Sequence, residues 1–272
     1  MTIEKRHILL TGAARGIGRC LARTLLKSGN KVFLLDVLED ELRYTAEVHL
    51  KQYHDRLRYA VCNLRDVAAI RGAVKDAADF FGGHIDVVVN NGSIASPKWK
   101  DGLTMEDPAT LDQWQAYVET NLTAPFALAQ ACLPHMKHAA QCQRSGGAGP
   151  TVILVGSSRA LQSDPNQEGY AATKAGQLGL MHSMAISFSQ WGIRVNLVAP
   201  GRVKAMYECR EGDEAGTTWA DLNDEKDVSD HPSNRSGKPE DIADAVEFLI
   251  DAGFVNGQDI TVDGGTTKKK NS

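Results

Sequence analysis

The chain has 272 residues, of which 42% are hydrophobic, and a formal net charge of -4 at pH 7. This length and apolar content suffice for a full core and predict one α/β domain over residues 1–272. The slightly acidic balance offers no basic footprint for a phosphate backbone, and no stretch approaches the roughly 20 apolar residues of a membrane helix, so we expect neither nucleic acid nor a membrane as partner.

Short runs rich in Val, Ile and Leu recur along the chain, each followed by a longer amphipathic stretch. This alternation is typical of strands and helices in a parallel sheet. The predicted strands are His7–Leu10, Lys31–Asp36, Leu57–Cys62, Val87–Asn90, Thr151–Val155, Arg194–Ala199 and Asp259–Val262. We therefore expect a doubly wound, seven-stranded, mainly parallel sheet with helices on both faces.

A glycine-rich turn, TGAARGIG, follows the first predicted strand and leads into a helix-like stretch. Glycines allow a tight turn and let the backbone N–H groups at a helix N-terminus approach a pyrophosphate. The position between a strand and a helix makes this a Rossmann-type dinucleotide motif. The residues expected to contact the dinucleotide here are Gly12, Arg15, Gly16, Ile17 and Gly18.

Asp36 ends the second predicted strand, roughly 20 residues after the glycines. A carboxylate at this position accepts hydrogen bonds from the hydroxyls of the adenosine ribose and repels a 2′-phosphate, which favours NAD. Arg15 lies in the turn near the same ribose, where it would attract a 2′-phosphate, although a solvated surface arginine explains it equally well. We expect NAD as the cofactor, with NADP as the alternative.

Tyr170 and Lys174 are four positions apart in a helix-forming stretch, so both lie on one helix face. A free phenol has a pKa near 10, but a nearby ammonium and an oxidised nicotinamide ring both favour the phenolate. A tyrosine tuned in this way can take the proton of an alcohol as its hydride leaves, or return one to a carbonyl. The alternative is an ordinary helix with a partly buried tyrosine and a surface lysine.

Ser157 follows the fifth predicted strand, and ligands of open α/β sheets bind beyond the carboxyl ends of the strands. Its hydroxyl is therefore a candidate for holding the oxygen of a substrate. Ser158 is the competing candidate.

At this point the chain resembles the short-chain dehydrogenase/reductase family from about Lys5 to Gly265. The matching elements, in order, are Thr11–Gly18, Asp36, Asn90-Asn91, Asn121, Ser157, Tyr170 with Lys174, Pro200-Gly201 and Val262–Gly265. The resemblance implies hydride transfer between the dinucleotide and a secondary alcohol or carbonyl group. Asn91 is followed by Gly92-Ser93 where the family has Ala-Gly, and Ala205 stands where it often has a threonine.

The resemblance also implies roles for individual residues. Tyr170 would be the acid and base, Lys174 would bind the nicotinamide ribose and lower the pKa of the tyrosine, and Ser157 would hold the substrate oxygen. Asn121 would anchor a water that links Lys174 to solvent. The remaining implied cofactor contacts are Asn63, Leu64, Asn90, Pro200, Gly201 and Val203.

A long acidic segment, from about Lys204 to Pro232, shows neither strand nor clear helix periodicity. It follows Pro200-Gly201 in the place of the family's substrate-covering loop, so we expect a lid over residues 204–232. A polar substrate is suggested by Arg159, Gln167 and Glu168. A larger, apolar carbonyl compound is the alternative, suggested by Trp99, Tyr207 and Trp219.

The remaining expectations concern partners, metals and location. The resemblance implies a homodimer or homotetramer. The five cysteines are scattered without a C-x-x-C pair, which is typical of a cytoplasmic protein. His135 and His138 have helical spacing but no acidic neighbour in the sequence, so we expect no metal site. A rival to the enzyme is a catalytically silent or non-redox protein with the same fold.

Overall fold

A computed structural model describes residues 5–142 and 148–268 and contains one seven-stranded sheet. The strands are β1 (His7–Thr11), β2 (Lys31–Asp36), β3 (Leu57–Val61), β4 (Val87–Asn90), β5 (Thr151–Val155), β6 (Arg194–Pro200) and β7 (Asp259–Val262). Their order is β3-β2-β1-β4-β5-β6-β7, and every neighbouring pair is parallel. The predicted Rossmann-type fold is confirmed, with strand ends that differ from the prediction by at most one residue.

The helices of the described chain are α1 (Gly16–Lys27), α2 (Glu39–Tyr44), α3 (Val67–Phe81), α4 (Thr110–Val118), α5 (Ala124–Cys142), α6 (Glu168–Ser189), α7 (Arg210–Ala215), α8 (Trp219–Leu222), α9 (Glu225–Asp230) and α10 (Pro239–Asp251). None of the helices in this part of the chain is long and apolar enough to cross a membrane.

The core lies on both faces of the sheet because successive side chains of a strand point in opposite directions. Leu9 and Val88 pack on the face covered by α3, α5 and α6. Ile8 and Val87 pack on the other face, which α1 and α10 cover. Strands buried on both faces read as continuous apolar runs, which explains why the sequence pattern located them so well.

The strand order reverses between β1 and β4, which lie side by side at the centre of the sheet. The loops that leave their carboxyl ends run in opposite directions and open a crevice between them. The glycine-rich turn after β1 borders this crevice, and so does the loop after β4.

The segment from Lys204 to Pro232 contains the three short helices α7, α8 and α9, where the sequence analysis found no clear helix periodicity. The longest have six residues, less than two helical turns, which is too short for a periodic apolar stripe. Their boundaries are fixed by polar caps. Thr218 with Asp221 and Asp224 with Asp227 form capping boxes at the starts of α8 and α9.

Candidate active site

The glycine-rich turn forms a narrow cradle at the start of α1. Gly12 and Gly16 have φ of 65° and 61°, in the left-handed region that glycine adopts without strain. A Cβ at Gly18 would lie 1.8 Å from the carbonyl oxygen of Gly12, so only glycine fits there. Asn91 braces the turn from β4, because its Nδ2 donates to the carbonyls of Thr11 and Gly12 at 3.1 and 2.9 Å.

Asp36 is fixed at the carboxyl end of β2, beside this cradle. One carboxylate oxygen accepts a hydrogen bond from the N–H of Ala14 at 2.9 Å, and the other accepts one from the N–H of Leu38 at 3.1 Å. Its orientation is therefore set by the backbone on both sides. Arg15 is exposed at the mouth of the same crevice.

The crevice is a cavity of about 800 Å³ that runs from Asp36 to Tyr170. The predicted cofactor residues that line it are Gly12, Arg15, Gly16, Ile17, Gly18, Asp36, Asn63, Leu64, Tyr170, Lys174, Pro200, Gly201 and Val203. Asn90 does not line it, because its side chain is buried at the end of β4 and the following residues, Asn91 to Ser93, form the wall. The glycine cradle and the length of the crevice fit a nicotinamide dinucleotide.

Ser157, Tyr170 and Lys174 meet at the inner end of this cavity. The Nζ of Lys174 donates to the carbonyl of Val155 at 3.0 Å and lies 5.6 Å from the centre of the Tyr170 ring. Ser157 also lines a second cavity together with Tyr170, whereas Ser158 lines only the second. Of the two serines, Ser157 is therefore the one placed between the two cavities.

The pKa values at this end of the cavity are governed first by burial. Burial raises the pKa of Tyr170 above its ordinary value, although a hydrogen bond with Ser157 and the positive charge of Arg159 act in the opposite direction. Burial also lowers the pKa of Lys174 to about 7. The implied lowering of the pKa of Tyr170 by Lys174 is thus not found in the protein alone. The reason is that burial disfavours the charged form of both groups.

Asn121 is buried in a π-helical turn, Glu119–Thr123, between α4 and α5. Its Oδ1 accepts a hydrogen bond from the N–H of Ile94 at 2.8 Å, and its carbonyl accepts one from Nε2 of Gln177 at 2.5 Å. Gln177 was not singled out by the sequence analysis. Both oxygens of Asn121 are already engaged by protein groups, so a relay through a water on this residue stays a prediction.

The second cavity, of about 1300 Å³, opens from Ser157 and Tyr170 toward solvent. Arg159 lines it, and its guanidinium lies 2.6 Å from the carboxylate of Asp164, which also lines the cavity. Lys98 and Arg202 add two more positive side chains to the wall.

The other residues suggested as substrate contacts lie elsewhere. Glu168 accepts a hydrogen bond from the indole of Trp99 at 2.9 Å, and Gln167 is buried. The indole of Trp219 donates to the carbonyl of Gly237 at 3.2 Å, and the Tyr207 hydroxyl faces Glu240. In the described structure none of these predicted contacts lines the second cavity.

The sequence analysis also missed the attachment of the segment after β6 to α1. The carbonyl of Glu208 accepts a hydrogen bond from the N–H of Gly16 at 2.7 Å. The carboxylate of Glu208 pairs with Arg19 at 2.9 Å and with Arg23, and Arg19 also pairs with Asp213 at 2.8 Å. The first part of the segment therefore packs against the cofactor helix. Near its end, Asp230 and His231 border the second cavity.

Comparisons with known proteins cover nearly the whole chain. A family model described as Enoyl-(Acyl carrier protein) reductase matches residues 12–267. The 3-oxoacyl-[acyl-carrier-protein] reductase FabG of Vibrio cholerae is 33% identical over 97% of this chain and 98% of its own. Of the solved structures, ElxO with NADP bound is 25% identical, with a TM-score of 0.79, and the alignment covers 97% of this chain and 100% of ElxO. A 7α-hydroxysteroid dehydrogenase complexed with NADH and 7-oxo glycochenodeoxycholic acid is 26% identical, with a TM-score of 0.78 and coverage of 95% and 92%.

Proposed function

Because this chain belongs to the short-chain dehydrogenase/reductase family of oxidoreductases, we propose that it transfers a hydride between NAD and a secondary alcohol or carbonyl group of a small, polar substrate. The observation that carries the proposal is the position of Ser157 and Tyr170 on the wall shared by the two cavities. A substrate in the second cavity would meet the cofactor there.

The side chains at this wall would divide the work as follows. The Oη of Tyr170 takes the proton of the alcohol when the hydride leaves, and returns a proton to the carbonyl oxygen in the reverse direction. The hydroxyl of Ser157 holds the same oxygen. Its Oγ accepts a hydrogen bond from the N–H of Arg159 at 3.1 Å, and its hydrogen bond with Tyr170 keeps the two hydroxyls side by side. The bound nicotinamide supplies or accepts the hydride.

Lys174 would hold the nicotinamide ribose and supply charge beside Tyr170. Its Nζ is buried and has one protein acceptor, the carbonyl of Val155. An ammonium has three donors, so two remain for ribose hydroxyls. These bonds favour the protonated form and would lower the pKa of Tyr170 in the complex, opposing the effect of burial.

The preference for NAD is supported by Asp36. Its carboxylate lines the cavity and is held by two backbone N–H groups, so it cannot easily turn away from a 2′-phosphate. Arg15 acts in the opposite direction, because its charge would attract a 2′-phosphate, and NADP is therefore the alternative. The solved relatives include one complex with NADP and one with NADH.

The polar substrate is supported by Arg159. Its side chain is 31% exposed and lines the second cavity two residues after Ser157, where a substrate oxygen would lie. A sugar, a polyol or a hydroxy acid offers groups that a guanidinium can bind. An apolar carbonyl compound is less well supported, because Trp99, Tyr207 and Trp219 are not among the described residues that line this cavity.

Residues 204–232 are the proposed lid, because Asp230 and His231 border the second cavity. We also propose a homo-oligomer, as the resemblance implies, and a cytoplasmic location. The four cysteines whose side chains the structure describes are unpaired, which suits a reducing compartment.

Fluorescence titration with NADH and NADPH tests the cofactor, with Asp36→Ala and Arg15→Ala as paired variants. We expect tighter binding of NADH, and a loss of that preference in Asp36→Ala alone. Tighter binding of NADPH that Arg15→Ala abolishes would reverse the assignment. Failure to bind either dinucleotide would favour a silent protein.

A turnover screen tests the reaction and the substrate class. Sugars, polyols and hydroxy acids would be offered with NAD, and apolar ketones with NADH, to the wild type and to Tyr170→Phe. We expect turnover of polar compounds that Tyr170→Phe abolishes. Exclusive turnover of apolar ketones would overturn the substrate class, and dinucleotide binding without any turnover would favour the silent or non-redox alternative.

A further inference from the structure

A cluster of metal-binding side chains lies at the amino-terminal edge of the sheet, opposite to the candidate active site. His7 begins β1, Asp86 directly precedes β4, and His84 lies between α3 and β4. One ligand atom from each of these side chains lies within 4.8 Å of those of the other two. In a tetrahedral zinc site with bonds of about 2.0–2.1 Å, ligand atoms lie about 3.4 Å apart, so small side-chain rotations would bring the three into range.

The three side chains are held together by the sheet itself. The carboxylate of Asp86 accepts a hydrogen bond from the backbone N–H of His7 at 2.8 Å. The His7 ring stacks on Phe81, with centroids 5.0 Å apart and planes 4° from parallel, and its centroid lies 4.3 Å from that of His84. A site assembled on paired strands needs little ordering when the ion binds.

A second, independent observation is the Nδ1 atom of His7, which is buried and has no hydrogen-bond partner in the described chain. Buried polar atoms in native proteins nearly always have a partner, and a bound ion is one of the recognised explanations for an exception. Burial and the neighbouring His84 lower the pKa of His7, and the carboxylate of Asp86 acts in the opposite direction.

We propose that His7, His84 and Asp86 form a binding site for a transition-metal dication, with Zn²⁺ as the best match. Two imidazoles and one carboxylate are a typical zinc ligand set, whereas Mg²⁺ and Ca²⁺ prefer oxygen ligands. The proposal is independent of the proposed enzymatic function. It also revises the expectation of no metal site, which was based on sequence neighbours alone.

The histidines that the sequence singled out lie close to this cluster after all. The ring of His138 meets that of His84 edge-on, with centroids 6.1 Å apart. One feature acts against the site, because the positive charge of Lys31 is close enough to affect His7 and would repel a cation. The ammonium of Lys31 lies over the Phe80 ring, 5.3 Å from its centre.

A metal at this place would stabilise the fold and take no part in the reaction, because it binds at the opposite ends of the strands from Tyr170. It would tie the start of β1 to the connection between α3 and β4. Binding to the folded chain alone raises the stability of that chain by mass action.

Isothermal titration of the metal-stripped full chain with ZnCl₂ tests the proposal, with His84→Ala as the ligand variant. His182→Ala is the matched control, because His182 is an exposed histidine on α6, outside the cluster. We expect saturable binding of one ion to the wild type and to His182→Ala, and affinity at least about tenfold weaker in His84→Ala. Zinc should raise the melting temperature of the first two proteins only.

Absence of saturable binding to the wild type, or equal affinity in His84→Ala and the wild type, would overturn the proposal. If His84→Ala does not fold, His84→Gln replaces it in the same titration, since the amide keeps most of the side-chain volume without the imidazole nitrogen. The absorption spectrum of the Co²⁺ form gives a direct readout. Tetrahedral bands that vanish in the ligand variant support the site, and an octahedral spectrum identical in both proteins contradicts it.

Discussion

Replacing Glu208 with alanine tests the attachment of the segment after β6 to the cofactor helix. The side chains of Glu208 and Arg19 are each 2% exposed and lie 2.9 Å apart. Removing one partner of a buried ion pair costs about 3–5 kcal/mol, because the other charge stays buried. Arg19 keeps a bidentate contact with Asp213 at 2.8 Å, so we expect the lower end, about 3 kcal/mol.

For a chain of 272 residues, a loss of about 3 kcal/mol lowers the melting temperature by about 5 °C. Thermal and urea unfolding of the purified variant would measure it. Glu211→Ala is the control, because Glu211 is exposed in the same segment and its loss should change the stability by no more than about 0.5 kcal/mol. Equal effects of the two substitutions would refute the reasoning.

The pH dependence of this effect separates charge from packing. Burial alone would raise the pKa of Glu208, but its hydrogen bonds and ion pairs with Arg23 and Arg19 outweigh burial and hold the pKa below its ordinary value. A carboxyl group with a lowered pKa stabilises the fold above its unfolded pKa, and this contribution is lost as the pH falls through the folded value. The difference in unfolding free energy between the wild type and Glu208→Ala should therefore be largest at neutral pH and shrink below pH 4.5. A gap that does not vary with pH would contradict an ionic origin.

Three further predictions concern the site itself. Tyr170→Phe should lower kcat by about 10²–10⁴-fold and leave the affinity for NADH unchanged, as measured by steady-state kinetics and fluorescence titration. The stability of the wild type relative to Lys174→Met should rise between pH 7 and 10.5, because the unfolded chain protonates Lys174 more readily than the fold does. Urea unfolding of both proteins at a series of pH values would measure this difference. Gly18→Ala should abolish NADH binding, because the added Cβ would lie 1.8 Å from the carbonyl oxygen of Gly12. Gly179→Ala is the control, because a Cβ there meets no atom within 4 Å. This variant should bind NADH normally and gain about 0.5–1 kcal/mol of stability.

The strands could be predicted closely because a strand buried on both faces consists of consecutive apolar residues. The run Val87–Val89 is apolar at every position, as expected for a strand covered on both faces. The short helices after β6 show no comparable apolar pattern, because none of them spans two full turns. The capping pair of Asp224 with Asp227 marks the start of α9 and was the signal available in the sequence.

The site could be predicted to the extent that its chemistry depends on local spacing. Tyr170 and Lys174 share a helix face, so four positions in the sequence suffice to join them. The protonation of Lys174 does not follow from spacing, because its pKa is set by its burial beside the end of β5. The predicted contact of Asn90 with the cofactor stays a prediction. The sequence predicts the end of β4 at Asn90, but only the structure shows that its side chain is buried.

The features that could not be predicted from the sequence are contacts between residues far apart in the chain. Glu208 is 189 positions from Arg19, and no local pattern connects an acidic residue after β6 to an arginine in α1. Yet the backbone of Glu208 reaches the N–H of Gly16, inside the same turn that the glycine pattern identified at once. The cradle recognised from its sequence is therefore completed by a residue that sequence reasoning could assign only to a long acidic segment. The ion pairs hold that segment on α1, so the shape of the cofactor site depends on charges that lie outside every recognised motif.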